Sequence, residues 1–157
     1  MKREILRGLT MLMLVVAVAF MTAVTSANGQ VRSLAAEIPF AFNVGDRALP
    51  AGKYMVRNAS ENGNALMIQN RNAGKAAIRL THSIEASKAS ENAKLVFHRY
   101  GKNYFLAEVW SAGERTGRRL LKSKQERTIE GQLAGVFSKS ELARNSYEIV
   151  EIVATVH

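Results

Sequence analysis

The hydrophobic positions change rhythm about thirty residues into the chain. Residues 9–24, LTMLMLVVAVAFMTAV, are apolar and carry no charge; MKREILRG precedes them, with Lys2, Arg3 and Arg7 against Glu4, and the small residues of TSANGQ follow. A basic start, an apolar block and a small-residue stretch come in the order of a secretory signal peptide. Residues 1–27 are therefore expected to be a signal peptide cleaved after Ala27, with Ala23 a second candidate. The competing reading is an uncleaved anchor, although the block falls short of the roughly 20 apolar residues that span a bilayer.

Beyond it the apolar runs are short and alternate with polar or small residues. After a linker at 28–36, Ile38 to Asn43 (IPFAFN) reads as a first strand ending in the turn Val44-Gly45-Asp46-Arg47. Leu49-Pro50-Ala51-Gly52 places Pro and Gly where a type I turn takes them, and Lys53 to Arg57 resumes an extended pattern. Ala65 to Gln69 and Lys75 to Thr81 flank a loop of hairpin character at Asn70 to Gly74. His82 to Ala93 is small and polar and reads as loop.

KLVFHRY-GK-NYFLAEVW is the strongest local signal. Gly101-Lys102 suits a type II′ hairpin, whose first loop position needs φ > 0. With Tyr100 opposite Asn103, Val96/Ala107 and His98/Phe105 fall on one face, and Leu95/Glu108, Phe97/Leu106 and Arg99/Tyr104 on the other. Both faces carry large apolar groups, so the hairpin is expected to be covered on both sides, by a second sheet and by a helix. Ser123-Lys124-Gln125-Glu126 has the spacing of a capping box, followed by Ile129, Leu133, Val136 and Phe137 at helical intervals; the helix is placed at Lys124 to Ala134. Tyr147 to Val156 is rich in β-branched residues and reads as a last strand. These elements predict a mainly β domain over 37–157, a small antiparallel β-sandwich or partly open β-barrel with one α-helix in its C-terminal half.

Composition narrows the chemistry. The chain has 157 residues and no cysteine, so disulfides and thiolate chemistry are excluded and packing must supply stability. Its net charge of +9 falls to +7 once residues 1–27 are removed, which inclines an exported domain toward anionic partners such as an envelope polymer or lipid. The segment 114–127 concentrates that charge in Arg115, Arg118, Arg119, Lys122, Lys124 and Arg127, a candidate anion-binding patch whose competing reading is a solvated loop leading into the helix. It lacks the exposed aromatics or reading motif that nucleic-acid binding uses.

IPFAFNVGDRALPAGKYMVRN, SKASENAKLVFHRYGKNYFLAEVW and GRRLLKSKQER together resemble a group of short exported proteins of soil bacteria. They share a signal peptide, an IPF-x-F-x-V-G…LPAG-x-Y opening and an LVFHRYG hairpin. The resemblance covers most of the chain after the signal peptide. It implies export and no particular activity.

Candidate catalytic groups are sparse. His82, His98 and His157 stand in no metal-ligating spacing, and no cofactor is expected. Asp46 is the only aspartate and sits in a turn, which disfavours an Asp-based triad. No serine lies in G-x-S-x-G and no glycine-rich phosphate loop occurs. Glu108 is the acid of interest, because the unbroken register sets it on the apolar Phe97/Leu106 face, either as a perturbed acid or in a salt bridge. That register puts Glu108 and His98 on opposite faces, so one catalytic pocket would not hold both. His98 reads as a hydrogen-bonded histidine within the sheet. Tyr54, Tyr104, Trp110 and Glu108 are candidate ligand contacts, against a competing reading in which the aromatics belong to the core. The expectation is an exported, non-enzymatic binding or structural domain. The alternative is a small hydrophobic-ligand carrier with a barrel-like cavity, and an envelope enzyme comes third.

Overall fold

The computed structural model describes residues 33–70, 72–134 and 147–157. The predicted signal peptide, Val136 and Phe137 lie outside them. Among the described residues there are eleven strands and one helix: β1 Leu34–Ile38, β2 Phe42–Val44, β3 Arg47–Leu49, β4 Gly52–Asn58, β5 Ala65–Asn70, β6 Ala76–Glu85, β7 Lys94–Tyr100, β8 Asn103–Trp110, β9 Thr116–Leu120, α1 Lys124–Ala134, β10 Glu148–Val153 and β11 Thr155–Val156.

They form a β-sandwich, antiparallel except where β2 runs parallel to β8, whose hydrogen-bonded order is β10-β7-β8-β9-β6-β5-β4-β1-β11. Strand β6 belongs to both sheets. Its first half, Ala76–Leu80, pairs with β5 in sheet A, and its second half, Thr81–Glu85, pairs with β9 in sheet B. At the other side the chain passes from β10 in sheet B to β11 in sheet A through Ala154, whose N–H donates to the Ala93 carbonyl (2.8 Å). β10 and β11 are successive segments of one chain with no ladder between them, so the sheet is open and not a closed barrel. The short pair β2–β3 lies beside the start of β8, with Asn43 opposite Phe105.

Alternation explains most of the core. Leu34, Ala36 and Ile38 of β1, Tyr54 and Val56 of β4, and Leu66 and Ile68 of β5 point inward and meet Leu95, Phe97, Leu106 and Val109 of sheet B. Phe42 packs edge-on against both Tyr54 and Phe97, at ring-centroid distances of 5.0 and 5.4 Å. The LPAG-x-Y motif acquires a physical reason here, because the Tyr54 hydroxyl donates to the Pro50 carbonyl (2.7 Å) and closes the turn between β3 and β4.

Five segments depart from the sequence reading. The stretch read as one strand over 38–43 is two, broken after Ile38, where Pro39 has no N–H to offer a ladder. Leu34–Ile38 is strand although 28–36 reads as linker, since Leu-Ala-Ala carries too little side chain to reveal alternation. Residues 82–85 continue β6 and Thr116–Leu120 forms β9, where sequence suggests loop in both places; each is the other's partner. Gly and two arginines give β9 no strand propensity of its own, and the ladders of β6 and β8 on either side hold it extended.

The fifth departure is a one-residue bulge in the central hairpin. The pairs Tyr100↔Asn103, Arg99↔Tyr104, His98↔Phe105 and Phe97↔Leu106 follow the predicted register, and Gly101 has φ +61° with no positive φ at Lys102, as a II′ turn requires. Then Ala107 is skipped, so that Val96 faces Glu108, Leu95 faces Val109 and Lys94 faces Trp110. Without the bulge the Glu108 carboxylate would enter the core beside Phe97 and Leu106, at a cost of several kcal/mol for an ionised group. With it, Val109 enters the core and Glu108 turns outward.

Candidate functional site

The outer face of sheet B carries the polar groups of interest, in two parts. At the hairpin end it is covered by α1. Ser123 caps this helix, its Oγ accepting the Glu126 N–H at 3.0 Å. The Glu126 side chain points to the sheet, where its Oε1 lies 3.2 Å from His98 Nδ1 and accepts the Tyr100 hydroxyl at 3.4 Å. His98, Tyr100 and Glu126 are all buried, and the Tyr147 ring stacks on His98 at 3.9 Å. The expectation of a hydrogen-bonded sheet histidine holds, with a partner, Glu126, that spacing did not suggest.

Burial, followed by the Glu126 and Glu130 carboxylates, pushes the Tyr100 hydroxyl well above the ordinary tyrosine range. A raised folded value means that this group's contribution is complete below the unfolded tyrosine pKa of about 10 and is lost as pH rises beyond it. Urea unfolding followed across alkaline pH is therefore expected to show a stability loss above about pH 10 that is smaller in Tyr100→Phe than in the parent. Equal alkaline slopes in the two proteins would count against this picture.

The rest of the outer face is a groove of about 770 Å³. Its floor comes from Lys94, Val96 and His98 of β7, Glu108 and Trp110 of β8 and Arg119 of β9, while β10 adds Ile149, Glu151 and Val153 along one side. The loop at 86–92 closes one end, and Tyr147 with Lys122 stands at the other. Glu108 is engaged through both carboxylate oxygens: Oε1 accepts Arg119 Nε (2.9 Å) and Nη2 (2.7 Å), and Oε2 accepts the Trp110 indole N–H (2.9 Å). Beneath the indole lies Gly117, where an added Cβ would sit 2.6 Å from ring carbons Cδ2 and Cε3. Only glycine lets β9 approach the ring this closely.

The bulge overturns the predicted separation of His98 and Glu108. Both stand on the outer face and both line the groove. His98 Nδ1 and both Glu108 oxygens are held by the partners above.

The other candidates divide. Tyr54 is a core residue, as the competing reading had it. Tyr104 lies on the inner side of the hairpin, stacked on Phe40 (3.9 Å) with the Arg99 guanidinium 5.5 Å from its ring, outside the groove. Trp110 and Glu108 are in it. The six basic residues form no single patch, because β9 alternates. Arg118 faces the Val109 side and donates to Ser83 Oγ (2.8 Å), whereas Arg119 faces the Glu108 side. Lys122 pairs with Glu130 (2.7 Å), Arg115 donates to the Ala86 carbonyl (3.4 Å), and Lys124 and Arg127 are exposed on α1. Sequence reasoning missed Lys88 of the 86–92 loop and Lys94, Ile149, Glu151 and Val153 as groove residues; the last four meet only through the pairing of β10 with β7.

Space between the sheets is filled: Ile38, Phe42, Leu49, Tyr54, Val56, Ile68, Leu95 and Phe97 are at most 2% exposed. The apolar groups that a barrel-like carrier would turn toward a ligand are packed on one another. Among the described residues no three His, Asp or Glu side chains are placed to hold a metal, and no helix is long and apolar enough to cross a membrane. No family model, curated protein or solved structure matches the chain.

Proposed function

We propose that this chain is an exported, non-enzymatic β-domain that binds its ligand in the outer groove of sheet B. The groove carries the reading: at about 770 Å³ it has the size of small-molecule sites, and it sets a few apolar side chains, Ile149 and Val153 among them, beside polar groups held in place by hydrogen bonds. The order of charged, apolar and small residues in 1–27 supports export. Against an enzyme stands Glu108, the acid of interest, whose two carboxylate oxygens are taken by Arg119 and Trp110. Against an anion-binding surface stands the dispersal of the basic run over two faces of β9 and its pairing with Glu108 and Glu130.

The test is a native mass spectrum of the protein recovered from the envelope of the expressing cell, for the parent and for Ile149→Arg. Ile149 is 59% exposed at the groove margin, so the substitution blocks the groove without touching the core. The expected result is a chain beginning near Asn28 that carries an added species, with the species lost from the variant. A chain that retains residue 1 would refute export, and an added species held equally by the variant would remove the groove from the account.

A further inference from the structure

We infer that β10 is a self-pairing edge: two copies of this chain join antiparallel along Ile149 to Val153, about a twofold axis at Glu151, and merge their two B sheets into one. The pairing goes beyond the groove reading and does not depend on what the groove binds.

The backbone of β10 provides the template. Among the described residues β10 pairs with β7 alone and ends the hydrogen-bonded order of strands. The Ala154 N–H donates to the Ala93 carbonyl, which continues the register Val153↔Lys94 by one residue. Bonded pairs alternate along an antiparallel ladder, so Ile152, Val150 and Glu148 turn their backbone groups to β7 as Ala154 does. Ile149, Glu151 and Val153 turn theirs away from β7, to the outside of the sheet. A row of such groups invites another strand, and β10 carries none of the usual protections, having no proline, lysine or bulge. Its two charges, Glu148 and Glu151, are drawn back over the sheet by Arg99 (3.0 Å) and Lys94 (2.7 Å) of β7.

The side chains select the strand that fits. The apolar positions are symmetric about Glu151, with Val150 and Ile152 next to it and Ile149 and Val153 beyond. With the axis there, Ile149 meets the partner's Val153 on the outer face and Val150 meets the partner's Ile152 on the inner face, each contact occurring twice. Both are pairs of β-branched side chains, which stabilise neighbouring strands. Ile149 and Val153 are 59% and 68% exposed, and Val150 and Ile152 are half-buried where the core meets this edge, so pairing removes apolar surface from water on both faces. The outward backbone groups agree with the same axis: Ile149, Glu151 and Val153 face the partner's Val153, the partner's Glu151 and the partner's Ile149 as bonded pairs, giving about six hydrogen bonds. A shift of two residues in either direction would set Glu151 opposite Ile149 or Val153. The unfavourable contact is Glu151 against the partner's Glu151, and the Lys94 ammonium 2.7 Å from each carboxylate offsets it. A foreign strand would have to reproduce this spacing, whereas a second copy has it by construction.

The chain has no cysteine, so one introduced thiol reports one position. Bonded antiparallel partners have Cα atoms about 5.5 Å apart, within disulfide reach. With oxidised glutathione, Glu151→Cys is therefore expected to become mostly covalent dimer. Ile149→Cys alone is expected not to link, because its two copies lie about 13 Å apart along the strands. Mixed with Val153→Cys, it is expected to link to that protein and not to itself. Sedimentation of the parent purified from the expressing cell is expected to show monomer and dimer in equilibrium, with a dissociation constant of about 10–100 μM, as suits a small interface. Glu151→Pro removes an outward N–H while leaving the bonds to β7 in place. Val153→Lys adds an edge charge at an exposed position. Each is expected to weaken the dimer at least about tenfold.

A parent that stays monomeric to about 500 μM overturns the pairing and leaves the groove reading as it was. A dimer that both Glu151→Pro and Val153→Lys leave intact also overturns it, since that dimer forms elsewhere. Equal linking of Glu151→Cys and of Ile149→Cys alone does the same, because it reports collision and not register. An alternating valine–threonine hexapeptide runs as a separate arm: slowed exchange of the Glu151 amide in its presence, with the parent monomeric, would show that the edge takes a foreign strand and not a second copy.

Discussion

Replacing Glu126 with alanine is expected to lower the unfolding free energy by about 2–4 kcal/mol. Two buried groups are affected at once. The Tyr100 hydroxyl loses its acceptor, and His98 Nδ1 loses the carboxylate 3.2 Å away, where a stranded buried polar group costs about 1–3 kcal/mol. The substitution also removes negative charge from the first turn of α1, a smaller effect of about 0.3–1 kcal/mol. For a chain of this size the sum lowers the melting temperature by about 10 °C, which thermal and urea unfolding both read. Glu126→Gln retains an acceptor for Tyr100 and a contact for His98, and about half of the loss is expected to return. The titration of Tyr100 provides an independent check. Burial remains in Glu126→Ala, but the adjacent carboxylate is gone, so the hydroxyl should titrate closer to the ordinary tyrosine range while staying above it. A loss below about 1 kcal/mol would show that water replaces the carboxylate without penalty, and that α1 is not held through this cluster.

The second large effect is expected at Gly117. A methyl group there sits 2.6 Å from Trp110 Cδ2 and Cε3, closer than carbon atoms pack, so β9 or the indole has to move. Overpacking of this kind costs about 1–3 kcal/mol. In Gly117→Ala the ring is the part that gives, which disturbs its hydrogen bond to Glu108 and with it the orientation of Arg119. A destabilised protein with shifted Trp110 emission and weakened groove binding is therefore expected, all three read on one sample by fluorescence-detected unfolding and titration. Gly131 provides the contrast. It lies inside α1 with nothing within 4 Å of an added Cβ, and Gly131→Ala is expected to stabilise by about 1 kcal/mol through helix propensity. Opposite signs at the two glycines would separate close packing from backbone entropy. A neutral Gly117→Ala would show that β9 can move away from the indole.

At Glu126 the local signal was readable while the role was not. The capping box placed Ser123 at the start of α1 and Glu126 three residues on, and the helix spans Lys124–Ala134 as spacing implied. Nothing in that spacing indicates that the Glu126 side chain leaves the helix terminus for His98 and Tyr100, which requires the helix to lie across the end of the hairpin. Gly117 lies in the 114–127 segment that reads as a solvated loop, and nothing in the sequence singles it out. It is a strand residue because β8 brings Trp110 against it. The same holds for the groove as a whole: Trp110 and Glu108 were recognisable as candidates, whereas Lys94, Ile149, Glu151 and Val153 became neighbours only when β10 paired with β7.

Period-two patterning, turn glycines and a capping box by themselves determined that this is a mainly β chain with one late helix, a II′ hairpin at Gly101-Lys102 and a core drawn from alternate strand positions. These are properties of neighbouring residues, set by backbone sterics and by which side chains leave water. Tertiary structure alone decided the rest. It extended 82–85 and Thr116–Leu120 into paired strands, because each supplies the other's ladder and β8 adds a second one to β9, which compensates for weak intrinsic propensity. It also skipped Ala107, bringing Glu108 to the face of His98 and Trp110. The reason is a comparison that no local window contains, since one unpaired bulge residue costs less than an ionised carboxylate inside a sandwich core.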